Sequence, residues 1–221
     1  MPNSTSKSEI DRRATTVRAL ARAKLHVQPG GLAKVPAATR ESFHGSWAPV
    51  NALVRQLRPL STGLLRFWAE QERGHVHIGP LDGGYVPGAQ TCGQRTLDGV
   101  AHVSLVDLAV GSSRPLTLVG HLLDHLLGCY GEPGGQWLSD GGGITPRWLE
   151  VGQQIRDLCD LGYGQPRGVK LSLHRYFAEG LASYCRDRRA LNVVDPLLER
   201  LLRRTVMSDA FRAVEEDLCA Y

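Results

Sequence analysis

The sequence has no run of apolar residues that could cross a membrane, and it has few cysteines. A membrane-spanning helix needs about 20 consecutive apolar residues, and no stretch of the 221 residues approaches that length. The five cysteines are odd in number, widely spaced and without a CxxC pair, which argues against a disulfide framework or a cysteine zinc cluster. The chain begins with polar residues where a secretory signal would be apolar. We therefore expect a cytoplasmic protein without a membrane partner.

The composition that is present fits one compact domain with a short appendage. Hydrophobic residues make up 42% of the chain, and Lys and Arg outnumber Asp and Glu by 26 to 22. Several of the excess cations lie in residues 1–45, a polar segment interrupted by proline and glycine, with one short helix predicted from Thr15 to Lys24. We predict a flexible basic arm over residues 1–45 and a folded domain over residues 46–221. Such an arm could contact nucleic acid or an acidic partner.

Apolar spacing predicts a small sheet followed by a mostly helical half. Residues 49–73 carry apolar side chains at helical spacing, with a break at Pro59. Residues 74–79 and 99–106 alternate as strands do, and a glycine-rich turn region is predicted between them. Further helices are predicted over residues 116–128, 148–161, 171–188, 196–204 and 209–218. The fold class predicted from this order is α+β, with a small mixed sheet and a helical C-terminal half.

Two histidines, His121 and His125, lie four residues apart on one of these predicted helices. Residues at that spacing share a face, with Cβ atoms about 5–6 Å apart, so both rings can reach one metal ion. The helix predicted over residues 171–188 offers Glu179 as a third ligand, because a carboxylate near a buried stripe is costly unless it is paired or bound to metal. Two histidines and a glutamate leave one position on Zn²⁺ open to water, as catalytic zinc sites do. The sequence therefore predicts a zinc site at these three residues.

The order of the two helices resembles that of the gluzincins, a clan of zincin-like metallopeptidases. In those enzymes a helix with two histidines precedes a helix with the glutamate ligand, and residues 177–184, FAEGLASY, resemble their Glu-Gly-x-Ala-x-Tyr pattern. The resemblance covers about residues 100–187, and the strand near residues 101–106 corresponds to the edge strand that lines their substrate site. It implies a zincin-like fold and hydrolysis of peptide bonds by metal-activated water.

The sequence departs from the family pattern His-Glu-x-x-His at the residue that transfers the proton. The family's glutamate is the general base, and Leu122 stands in its place. Asp124 is the only acidic residue between the histidines, and the segment resembles the inverted motif His-x-x-Glu-His with aspartate for glutamate. We therefore predict Asp124 as the catalytic base if the domain hydrolyses peptides. Its alternative role is to orient a histidine as a hydrogen-bond acceptor.

The spacing between the ligands also departs from the aminopeptidase-type members. The segment from His125 to Glu179 is longer than theirs and nearer to that of lethal-factor-type zincins. The corresponding pattern of those zincins would put the ligand position at Arg175, which cannot bind zinc as a carboxylate does. We therefore retain the register that uses Glu179.

Two hypotheses from different classes stay open. The first is a zinc-binding metallopeptidase-like protein, either active through a substitute base or a degenerate pseudoenzyme, with a peptide or protein as substrate or partner. The second is a non-enzymatic interaction protein, in which the histidines are hydrogen-bonded core residues and the basic arm binds an acidic partner or nucleic acid. His75 and His77 project to one face of a predicted strand and form a reserve metal pair.

Overall fold

The computed structural model describes residues 4–81, 83–162 and 171–218. The chain begins with a long helix α1 (Ser4–Lys24) that leads directly into a short strand β1 (Leu25–Val27), followed by a 3₁₀ turn (Gly31–Lys34) and a short helix α2 (Ala37–Glu41). The structure differs here from the predicted division at residue 45, because β1 pairs with a strand of the central sheet and Leu20 of α1 is only 1% exposed. Because α1 is mostly polar, its sequence did not indicate the narrow apolar face that the helix buries.

The middle of the chain contains two helices and the rest of the sheet. Helices α3 (Ala48–Gln56) and α4 (Thr62–Glu70) confirm the helical spacing and the break around Pro59. Strands β2 (His75–Gly79), β3 (Tyr85–Cys92) and β4 (Arg95–Ser104) follow. The spatial order is β1-β2-β4-β3, with β1, β2 and β4 parallel and β3 antiparallel to β4. The predicted glycine-rich turn region therefore contains the edge strand β3 and the start of β4.

The C-terminal half is helical, as the sequence predicts. Its helices are α5 (Leu105–Ala109), α6 (Arg114–Cys129), α7 (Pro146–Leu161), α8 (Leu173–Val194), α9 (Pro196–Arg204) and α10 (Asp209–Leu218). Helix α8 contains a kink at Asp187, whose backbone angles are not helical. The fold is thus α+β, and none of the helices within the described ranges is both long and apolar enough to cross a membrane.

Helix α6 lies at the centre of the molecule and positions the candidate site. It packs against β4 on one side and against α8 on another. The contact with α8 is close at Gly120, where an added Cβ would lie 2.8 Å from the Cα of Ala178. Because the two helices meet at a glycine and an alanine, residues of α6 and α8 that flank this contact come near each other. Both predicted zinc-ligand helices are therefore neighbours.

Candidate functional site

Helix α6 is buried along most of its length, so its polar side chains must find partners inside the protein. Pro115 stands in its first turn, where the missing N–H costs nothing. The helix ends at Tyr130, which adopts the left-handed conformation with a φ of 55°. His125 is fully buried and His121 is half-buried. The sequence prediction that both histidines lie on one buried helix is therefore confirmed.

Both ring nitrogens of His125 are hydrogen-bonded within the protein. Nε2 lies 2.9 Å from the carbonyl oxygen of Glu132, and Nδ1 lies 2.7 Å from the hydroxyl of Tyr85 on β3. A carbonyl oxygen can only accept, so Nε2 carries the proton and Nδ1 accepts from the tyrosine hydroxyl. Burial lowers the pKa of His125 and raises that of Tyr85. The pair is therefore a neutral imidazole bound to a neutral phenol.

Helices α6 and α8 bring His121 and Glu179 near each other, as the sequence predicts. Each of the two side chains also has a further neighbour in the protein. Burial, together with the nearby His174, lowers the pKa of His121 to about 4, and the carboxylate of Glu179 acts on it in the opposite direction. Glu179 accepts a hydrogen bond from Nε of Arg175 at 2.7 Å, one turn earlier on α8. Arg175, which the spacing of lethal-factor-type zincins would put at the ligand position, is thus the ion-pair partner of Glu179.

Trp137, which the sequence did not single out, connects the helix of His125, α6, with the helix of His174, α8. The indole ring of Trp137 stacks on His174 with centroids 4.0 Å apart and planes 6° apart, and on His125 with centroids 4.9 Å apart. Nε2 of His174 lies 2.6 Å from a carboxylate oxygen of Asp140. Trp137 and Asp140 belong to the glycine-rich loop after α6, where no periodicity marks a side chain as functional. The only signal for them was a tryptophan and an aspartate among glycines.

Asp124 faces this loop and not the two neighbouring histidines. It is fully buried, and its carboxylate oxygens accept from the backbone N–H of Ser139 at 2.8 Å and from the hydroxyl of Ser139 at 2.6 Å. Burial raises the pKa of Asp124 to about 8, and the two bonds from Ser139 oppose that rise. The carboxylate therefore attaches the loop to α6. Its proposed role as a catalytic base stays a prediction.

The position that corresponds to the catalytic glutamate of the gluzincins is part of the hydrophobic core in this protein. Leu122 is 0% exposed and lies among other buried apolar residues. A side chain at this position points into the sheet side of the core, since an added Cβ on Gly74 would contact both Leu122 and Leu126. The leucine is therefore a packing residue.

The donors of the three predicted zinc ligands are largely engaged by protein groups. Within residues 4–81, 83–162 and 171–218, no three or more His, Cys, Asp or Glu side chains are arranged to hold a metal ion. His125 would have to exchange its bond to Tyr85 for metal, and Glu179 would have to share its carboxylate with Arg175. As arranged, the three residues do not fit a zinc ion. Because side chains can rearrange around a metal, Zn²⁺ binding here stays a prediction.

A cleft of about 490 Å³ opens beside Glu179, between the start of α6 and helices α8 and α9. The described residues that line it include Thr117, Tyr176 and Asp195, and Tyr176 donates to the buried carboxylate of Asp195 at 2.6 Å. Neither His121 nor His125 is among its lining residues. Glu179 therefore lines the cleft and also lies near His121, which does not line it.

No known protein family, curated protein or solved structure was found to match this chain. The arrangement of the site must therefore carry any functional conclusion. Such a conclusion depends on chemistry at named residues and not on fold alone.

Proposed function

We propose that this protein is a zincin-type, metallopeptidase-like domain that binds a peptide or protein at a degenerate hydrolytic site. The observation that carries the proposal is the environment of Leu122 and Asp124, which occupy the two positions at which a catalytic base is expected. Leu122 is buried in the core, and Asp124 is buried against Ser139, so neither offers a free carboxylate beside the histidines. Without a base, proton removal from an attacking water loses a contribution of about 10²–10⁴-fold in rate.

The arrangement of the sheet and helices supports the relation to zincins. Three parallel strands end in an antiparallel edge strand, β3, and Tyr85 of that strand reaches His125 on α6. Helix α8 brings Glu179 to the same helix from the other side. The two helices come in the order that the sequence resemblance implies. The edge strand, however, is β3 and not the strand near residues 101–106, because β4 pairs on both sides and lies inside the sheet. Zn²⁺ would supply activation of water where it is bound.

The edge strand supports a peptide as the partner. Strand β3 stands at the end of the sheet order, and it pairs with β4 along one side. An extended peptide can add to such an edge through backbone hydrogen bonds, with alternate side chains facing the protein. A peptide bound there would lie beside Tyr85 and near the stacked ring of Trp137. Binding would thus be retained where hydrolysis is lost.

Metal analysis of the purified protein tests the zinc part of the proposal. We expect about one equivalent of zinc to remain bound after gel filtration, and His121→Ala to lose it. His44 is exposed and lies outside the site, so His44→Ala is the matched control and should keep its zinc. If the wild-type protein and His121→Ala both hold far less than one equivalent, the zinc site does not exist.

A peptidase assay on a mixed peptide library tests the degenerate site. We expect the wild-type protein to show no hydrolysis above a metal-free control, and Asp124→Asn to leave that result unchanged. Because residue 122 points into the core, Leu122→Glu and Leu122→Gln should both lower stability, and neither should create hydrolysis. Hydrolysis by the wild-type protein that Asp124→Asn abolishes, with zinc still bound, would show that Asp124 is the base and that the site is active.

A non-enzymatic interaction protein is the second candidate, and one observation favours it. Both nitrogens of His125 have protein partners, so the histidine is stable in the core without a metal. In this case the exposed basic residues of α1, such as Arg18 and Arg22, would bind an acidic partner. The combined change Arg18→Glu and Arg22→Glu should then abolish salt-sensitive binding of a duplex DNA probe by zinc-free protein. Equal binding by the variant would contradict this candidate.

A further inference from the structure

A second group of histidines lies on the central sheet, away from α6. Four of the eight histidines in the chain stand on three adjacent strands, on the face opposite the buried valine and isoleucine of β2. The register places three of them in one row across β1, β2 and β4, and the fourth lies two residues along β2. These residues are His26, His75, His77 and His102. All four are half-buried, so solvent reaches the face that they form.

Two of these rings meet directly. Nε2 of His26 lies 3.1 Å from Nδ1 of His75. The other nitrogen of His75, Nε2, lies 3.1 Å from the carbonyl oxygen of Glu72 and must donate to it. The lone pair of His75 Nδ1 is therefore directed at His26, and a single proton, on His26 Nε2, lies between the two rings.

The separation of these nitrogens fits two ligands of one metal ion. Imidazole binds Zn²⁺ at about 2.0–2.1 Å, so two nitrogens on the same ion at angles near 90–110° are about 2.9–3.4 Å apart. The observed 3.1 Å lies within that range. A carbonyl that accepts from the far nitrogen of a histidine also fixes the ring as metal-binding histidines are usually fixed. Glu72 provides that carbonyl for His75.

We propose that His26 and His75 form a two-histidine site for a divalent transition metal such as Zn²⁺ or Cu²⁺, with water completing the coordination. A metal about 2.0–2.1 Å from both nitrogens lies off the line that joins them, so both rings turn their lone pairs toward it and the hydrogen bond between them is lost. His26 keeps one proton by carrying it on Nδ1. Two ligands accord with the absence, within the described ranges, of any larger set of metal-binding side chains. The nearby cationic groups of Lys24 and Arg95 oppose the metal ion, and the acidic Asp98 favours it.

Metal at this site would join two parts of the fold. His26 belongs to β1, which follows α1, and His75 belongs to β2 at the centre of the sheet. An ion that binds both residues only in the folded state stabilises that state by mass action. The N-terminal helix and strand would therefore be held to the sheet more firmly when metal is bound.

A zinc titration of thermal stability tests this proposal. It uses the His121→Ala variant throughout, so that the result does not depend on the zinc site proposed above. At about a hundredfold excess over Kd, we expect Tm to rise by roughly 5–10 °C. His26→Asn or His75→Asn in that background should weaken the response by at least about tenfold in Zn²⁺ concentration. His102→Asn, on the same face but paired with His77, is the matched control and should keep the response.

Electron paramagnetic resonance of one equivalent of Cu²⁺ provides a second readout, which reports the metal's ligands directly and not the stability of the protein. In the His121→Ala protein we expect coupling to two histidine nitrogens, and loss of one of them in His26→Asn. No Tm shift with Zn²⁺, a shift that survives His26→Asn and His75→Asn, or a copper spectrum without histidine nitrogens would each overturn the proposal. Loss of tightly held zinc in His121→Ala, by contrast, reports only on the site at α6.

Discussion

The histidines of α6 and the histidines of the sheet differ in what satisfies their ring nitrogens. On α6, His125 is hydrogen-bonded to two groups that lie outside the helix, the hydroxyl of Tyr85 and the carbonyl of Glu132. On the sheet, His26 and His75 satisfy each other through one proton. A metal at α6 must displace the hydroxyl of Tyr85 from Nδ1 of His125, whereas the proposed metal on the sheet replaces only the hydrogen bond between the two rings. A histidine motif in a sequence therefore says less about metal binding than the partners of its nitrogens do.

The two regions also differ in how closely they are packed. Helix α6 lies against the backbone of the loop after it, with glycines at the closest contacts. The histidine face of the sheet is open to solvent, and its side chains are half-buried. We therefore expect substitutions at α6 to affect folding strongly, and substitutions on the sheet face to affect it weakly.

The largest effect is expected from Gly128→Ala, which would break the α6 region. An added Cβ would lie 2.3 Å from the backbone nitrogen of Leu138 and 2.5 Å from the carbonyl oxygen of Gln136. The backbone of this loop is hydrogen-bonded to α6 and cannot move aside easily. We therefore expect a loss of about 3 kcal/mol or more in the free energy of unfolding. Urea denaturation measures it. Gly84→Ala, where nothing lies within 4 Å, is the control, and a loss at Gly128 no larger than at Gly84 would contradict this packing.

A smaller effect is expected at Asp124, and it would sharpen the description of the loop attachment. Asp124→Ala leaves the N–H and hydroxyl of Ser139 buried without their acceptor, which should cost about 2–3 kcal/mol. Asp124→Asn keeps an acceptor for the N–H and gains a donor for the hydroxyl, so it should cost less than Asp124→Ala. Urea denaturation near neutral pH separates the two variants. Equal losses would mean that the bonds to Ser139 contribute little.

The same residue gives the protein a specific pH dependence. The pKa of Asp124 is raised from 3.8 to about 8 in the folded state, chiefly by burial. Between these values the folded chain holds a proton that the unfolded chain releases, so the contribution of Asp124 to stability falls as pH rises. The slope is at most about 1.4 kcal/mol per pH unit. The stability of Asp124→Asn relative to wild type should therefore increase between about pH 5 and about pH 8, measured with chelator present. A constant difference would mean that the carboxylate stays ionised in the core.

The smallest effect is expected on the sheet face, at His26. Burial and the neighbouring cationic groups lower the pKa of His26 from 6.5 to about 4. The unfolded chain then binds the extra proton first, so the stability contributed by neutral His26 is present above about pH 6.5 and is lost as pH falls toward about 4. Because the ring is partly solvated, we expect less than about 1 kcal/mol. Denaturation of wild type and His26→Asn with chelator should show their difference shrinking or reversing at acid pH, and parallel curves would contradict it.

Most of the helices and two of the strands were predictable because their apolar residues repeat locally. Helix α9, at Pro196–Arg204, begins at a proline and ends where the apolar repeat ends, so its bounds match the prediction. Strand β3 was missed because Pro87 and Gly88 interrupt it and their types are rare within strands. Strand β1 was missed because three residues are too few to show the alternation of apolar and polar side chains that predicts a strand. Only their pairing with β2 makes them one.

The sequence by itself determined which residues share a helix or a strand face. The spacing of His121 and His125 placed both on α6, and the alternation of β2 placed His75 and His77 on one face, because both periods are properties of the local backbone. The tertiary structure alone decided what each ring meets. Parallel register brought His26 to His75, 49 residues away, and the loop after α6 brought Trp137 between two histidines. Those partners decide whether a ring nitrogen is free for a ligand, and they depend on long-range packing that no local period encodes.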